Sequence, residues 1–189
     1  MRLSVKRTVG FTVIELFVVM SISVITLGVV MPSLAHIVER NHSAISINWL
    51  ISCVTYTRHA AITKRITVTL CPSANGSTCS GKWDDGTIAF TDYNRDAQIN
   101  GKDRLLHRFE SPTNGSTITW RAFRNRQYLQ MTHLGFTNFQ NGNFVYCSQD
   151  RDPRYSRQLI INVQGRPRAA RDRDGDGIVE DRYGRPLRC

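Results

Sequence analysis

The chain has 189 residues, a formal charge of +10, five cysteines and five histidines. That length suits one anchor plus one domain with a single core. The cysteines fit an exported, oxidising setting, while the lack of any CxxC or Cys/His zinc spacing argues against a zinc protein.

Arg2, Lys6 and Arg7 precede an apolar run, residues 11–31, in which Glu15 is the single charge. About 20 apolar residues cross a bilayer, and Lys/Arg ahead of a span keep that end cytoplasmic and send the rest outward. The carboxylate is the anomaly, because a charge at the centre of a span costs roughly 2.5–3.5 kcal/mol even on insertion scales. A helical pattern continues past Pro32, with an apolar stripe at Ala44, Ile47, Ile51 and Val54. The expectation is one helix over 11–64, its first half (11–31) in membrane, kinked by Pro32, its second half packed on a globular head.

The head, 65–164, reads as short strands at 66–71, 86–92, 104–109, 117–123, 126–131, 143–147 and 157–163, separated by Asn/Gly/Asp/Ser turns. The expected class is α+β, a long N-terminal helix on an antiparallel, β-sandwich-like head. Residues 165–189 read as a charged tail or long loop.

Two loops have calcium-like spacing. DYNRDAQINGKD puts Asp92, Asn94, Asp96, Asn100 and Asp103 at positions 1, 3, 5, 9 and 12, with the Gln98 carbonyl at 7, but Ala97 stands where the sharp turn wants glycine. DRDGDGIVE puts Asp172, Asp174, Asp176 and Glu180 at 1, 3, 5 and 9 with Gly177 at the turn; position 12 is Tyr183, leaving Asp181 as the substitute ligand. For both, the competing reading is an Asp-rich turn satisfied by backbone and water. Arginines cluster at Arg166, Arg168, Arg171 and Arg173, then Arg185 and Arg188. A second basic stretch, WRAFRNR, interleaves Arg121, Arg124 and Arg126 with Trp120 and Phe123, a mixture suited to phosphates with base stacking. The competing reading pairs these arginines with the acids of the tail. Five cysteines leave at least one unpaired, and the remaining pairing has fifteen solutions. No nucleophile or acid/base motif is visible.

A basic leader ending in Gly10, then Phe11, Thr12, Glu15 and Pro32, resembles the class III signal of type IV prepilins and pseudopilins. An ordinary signal peptide cut near Ser33-Leu34-Ala35 is opposed by the charge and by the helical pattern crossing that point. The stretches YTRHAAITKRITVTLCPS, CSGKWDDGTIAFTDYNRDAQINGKDRLLHRF, LGFTNFQNGNFVYC and RQLIINVQGRPR resemble, in order, the GspH/FimT branch of minor pilins and pseudopilins. The resemblance runs to about Arg168 and departs from the family at Ala97 and in the Asp-rich tail. It implies a leader (1–10) cleaved by prepilin peptidase, N-methylation of Phe11, and Glu15 pairing with a neighbour's terminal amine. It also implies storage in the inner membrane, single-pass with the C-terminus periplasmic, then export into a pilus beside other minor and major pilins. A Cys71–Cys79 bridge follows from the same resemblance; a Cys147–Cys189 bridge would then tie the tail back onto the sheet, leaving Cys53 on the helix as a small buried apolar residue. In some members a Gly-Arg-x-Arg motif binds double-stranded DNA during natural transformation, and here Arg166 and Arg168 match it. The alternative within the resemblance is a type II secretion pseudopilin without DNA binding.

Overall fold

The computed structural model describes residues 10, 12–112 and 115–189. The processing residue Phe11 and the side chain of Pro32 lie outside the described residues. The chain divides into two compact units at 38/39. Helix α1 (Val13–Lys64) is continuous and belongs to both.

In the first unit α1 begins with a capping box. Thr12 N–H and Oγ1–H both donate to Glu15 Oε2 (2.8 and 2.9 Å), and Glu15 N–H donates to Thr12 Oγ1 (3.3 Å). This reciprocal pairing satisfies helix-end donors that would otherwise be orphaned. Ser21, Ser23 and Thr26 return their hydroxyls to carbonyls four residues back. The helix therefore carries few unmet polar groups, while Val13, Ile14, Phe17, Val24 and Ile25 are each about two-thirds exposed or more. Such a surface needs lipid or another helix to cover it.

In the second unit α1 buries Ser43, Ser46, Ile47, Leu50, Cys53, Val54, Thr57, Ala60 and Ala61. The expected stripe is thus rotated: Ala44 is exposed and Ile51 only half-buried. Hydroxyls occupy the buried face because the helix satisfies them itself, Ser43 on the Glu39 carbonyl and Thr57 on that of Cys53. Arg65, at φ +54°, ends the helix, with Ile66 N–H reaching back to Ala61 O.

Among the described residues eight strands follow: β1 (Val68–Pro72), β2 (Thr87–Thr91), β3 (Leu105–Phe109), β4 (Thr117–Ala122), β5 (Leu129–Met131), β6 (Gly142–Cys147), β7 (Arg157–Ile161) and β8 (Pro167–Ala169). They form two antiparallel four-stranded sheets, ordered β3-β2-β1-β5 and β4-β6-β7-β8. The structure is α+β, as the sequence pattern indicates. The main core joins the helix stripe to Val68, Leu70, Ala89, Leu129 and Met131 of the first sheet. It also takes in Ile118, Trp120, Phe144, Tyr146, Leu159 and Ile161 of the second. Trp120 is therefore a core residue, packed on Phe144 at 4.3 Å between centroids, and is not available for base stacking.

Each sheet also has a covered outer face. Cys71, Ile88 and Phe90 of the first lie under Ile99 of the 92–103 loop. Val145 and Cys147 of the second lie under Val179 and Leu187. Disulfides join Cys71 to Cys79 and Cys147 to Cys189, and Cys53 is free and buried. Burial pushes the Cys53 thiol up to about 12.

Candidate functional site

The site is built by the segment that composition reads as a tail. β7 turns at Gly165 and pairs with β8, placing Arg168 opposite Ile160. Gly165 adopts φ +69°, and a Cβ there would come within 2.4 Å of the Gly135 carbonyl. Its role is this turn. Beyond β8 the chain makes the Asp-rich loop and then a small hairpin, in which Asp181 N–H meets Arg185 O (2.7 Å) and Leu187 N–H meets Val179 O (3.3 Å). Val179 and Leu187 seal the hairpin on the sheet, and Cys189 is bonded to β6.

Between hairpin and sheet lies a groove of about 880 Å³, lined by seven arginines: Arg121, Arg168, Arg171, Arg173, Arg182, Arg185 and Arg188. Three carboxylates, Asp172, Glu180 and Asp181, share it. Arg185 is tied to Asp181 at 3.2 Å in an exposed pair, worth little in stability. Desolvation works to raise the Asp181 pKa, but the N–H groups of Arg185 and Tyr183 and the Arg185 guanidinium outweigh it and hold the carboxyl below its usual range. Tyr183, 63% exposed, lies under Arg182 and Arg185, whose guanidinium carbons are 4.5 and 5.0 Å from its ring centre. The groove thus offers forked donors and an aromatic face, a combination suited to phosphates and bases.

The sequence candidates separate. Arg121, Arg168, Arg171, Arg173, Arg185 and Arg188 converge on the groove, and Arg166 lines an adjoining depression of about 530 Å³ that shares Arg168. Arg124 and Arg126 do not line it: Arg124 lies over Phe123, and Arg126 donates to Tyr128 Oη at 2.7 Å. Arg182 and Tyr183 are the residues that the sequence reading missed. Their signal in the sequence is adjacency to the Arg185/Arg188 cluster.

The two acidic loops share a turn but differ in closure. In the first, Asp92 is fully buried and accepts from Asp96 N–H, Ala97 N–H, Thr69 Oγ1 and Gln130 Nε2 at 2.6–3.1 Å. Asn94 and Asn100 donate to Asp96, and Asp103 accepts from Tyr93 and Asn100 N–H. In the second, Asp172 accepts from Gly175 and Gly177 N–H (2.7 and 2.8 Å), which holds its carboxyl below the usual range. Asp174 and Asp176 accept from the N–H two residues on. The carboxylates that converge are Asp172, Asp174, Asp176 and Glu180; Asp181 is not among them and instead accepts from the N–H groups of Tyr183 and Arg185 and from the Arg185 guanidinium.

A two-sheet head packed on the second half of a helix whose first half is apolar and exposed is the architecture of a pilin-like subunit. The family model described as type II transport protein GspH matches residues 46–165, and the chain belongs to that family. It is a minor pilin or pseudopilin of the GspH/FimT type, in a family of structural subunits and not of enzymes. The crystal structure of type IV minor pilin FimU from Pseudomonas aeruginosa is similar in fold at 17% identity, covering 70% of this chain and 91% of that one, with a TM-score of 0.56. A second crystal form gives 16% identity, coverage of 68% and 92%, and 0.52. The minor pseudopilin EpsH of the Vibrio cholerae type 2 secretion system follows at 8% identity, coverage of 68% and 95%, and 0.48. No curated protein matches the chain. Most groove arginines lie beyond residue 165, outside the family match.

Proposed function

We propose that the protein is a minor pilin of a type IV pilus, incorporated near the tip, that helps assembly and captures double-stranded DNA for transformation. The observation carrying the DNA reading is the groove, with seven arginines against three carboxylates, five of the arginines on the 170–189 segment that a disulfide holds to the sheet. Phosphate neutralisation by arginine releases counterions, so binding is independent of sequence and falls steeply with salt. The assembly reading draws on the exposed apolar surface of residues 13–38 and on Glu15. Prepilin peptidase cuts after Gly10, the inner membrane holds the helix with the C-terminus periplasmic, and neighbouring pilins then cover it. Glu15 exchanges its own capping box for the amine of a neighbouring Phe11, which offsets the burial of its charge.

The test uses the full chain in detergent micelles and a short DNA duplex. Replacing Arg168, Arg171 and Arg188 by alanine should weaken binding by about tenfold or more. Unchanged binding rejects the groove. In a deletion strain, lost transformation with pili still present supports this reading. Lost protein secretion supports the pseudopilin alternative.

A further inference from the structure

We propose that the 172–180 loop is a calcium site. Asp172, Asp174, Asp176 and Glu180 each offer a carboxylate oxygen within 4.8 Å of the others. Oxygens that close can be shared by one cation, and an all-carboxylate cluster suits Ca²⁺, which takes about six to eight oxygen ligands in flexible geometry, better than Mg²⁺, which keeps several waters. Spacing alone does not decide, since Asp92, Asp96 and Asp103 pass the same distance test.

Glu180 decides. It is only 9% exposed, and its Oε2 accepts the N–H of Arg173 at 3.2 Å. Its Oε1 is buried with no hydrogen-bond partner. A buried carboxylate oxygen without a donor is costly, and among the described residues no arginine forms an ion pair with Glu180. A water could meet that oxygen but would leave four carboxylates repelling one another. A hard divalent cation answers both needs with oxygen ligands. Gly175 and Gly177, at φ +83° and +88°, permit the backbone that turns the three aspartates toward one centre. The first loop has no such opening, because protein donors already fill Asp92.

Asp172 and Glu180 also line the arginine groove, so the ion would adjoin it, but the proposal does not rest on the DNA reading. The ion would brace the strand-to-hairpin connection whether or not the groove binds DNA.

The test is calorimetric titration of the full chain in detergent with calcium chloride, after chelator treatment. The result expected is uptake of about one Ca²⁺ per chain and a rise in melting temperature. Affinity should drop more than about tenfold in both Glu180→Gln and Asp176→Asn and stay unchanged in Asp96→Asn. Asp176 is exposed, so that variant keeps the test decisive if Glu180→Gln fails to fold. No heat and no melting shift in the wild type overturns the proposal. So does wild-type affinity in Asp176→Asn, or an equal loss in Asp96→Asn.

Discussion

The 92–103 loop and the 170–189 segment do the same architectural job on opposite sheets, yet one is closed on itself and the other faces outward. Both cover an outer sheet face with apolar plugs, Ile99 in one and Val179 and Leu187 in the other. Both turn on an aspartate that accepts the N–H five residues ahead, Asp92 from Ala97 and Asp172 from Gly177. Asp92 then spends its remaining capacity on Thr69 and Gln130, inside the head. The second loop leaves a buried Glu180 oxygen unmet and walls a groove of arginines. Similar turn chemistry thus serves a structural lid in one place and the wall of an arginine-lined groove in the other. What differs is where the surrounding donors come from.

The largest effect should come from the bridges. Cys147–Cys189 spans 42 residues of sequence and Cys71–Cys79 spans 8. Loop-closure entropy then gives about 4 kcal/mol for the first and about 2.5 kcal/mol for the second. Urea unfolding of the two Cys→Ser pairs should rank them in that order, and the reverse order would mean that the 170–189 segment holds itself in place.

Next is the buried aspartate. Asp92→Ala strands several buried donors and should cost about 3 kcal/mol, whereas Asp172→Ala in chelator should cost about 1 kcal/mol, because its donors can turn to water. Equal losses by chemical denaturation would dissolve the contrast between the loops.

The smallest effect is at the turn. Ala97 holds φ +61° where Gly177 holds +88°. Ala97→Gly relieves a left-handed alanine and should stabilise by about 0.5 kcal/mol, while Gly177→Ala should destabilise by about 1 kcal/mol. Matching signs in thermal melts would show that the two turns are not equivalent.

Much of the head was legible in the residues. Alternation or richness in branched and aromatic residues marked seven strands: β4 alternates because only one of its faces is buried, whereas β1, β2 and β5 are buried on both faces. β8 was not legible, since three residues beginning with Pro167 carry no alternation and exist through pairing with β7. The helix stripe was read one step off because Ser43, Ser46 and Thr57 count as polar, although two of them bond back to their own helix. The arginines were visible as a cluster. Which of them share a groove depends on the hairpin and its bridge, so Arg124 and Arg126 fell away and Arg182 and Tyr183 came in. The Thr12–Glu15 capping box is written in the sequence as T-x-x-E, so the charge in the apolar run is also a helix cap.

The most direct measurement is the salt dependence of duplex binding by the full chain in detergent, comparing wild type with the Arg168, Arg171 and Arg188 alanine variant. The account predicts a steep linear fall of log affinity with log salt, and a slope shallower by about 1 for each phosphate contact removed. Equal slopes in both proteins, or binding insensitive to salt, would contradict it.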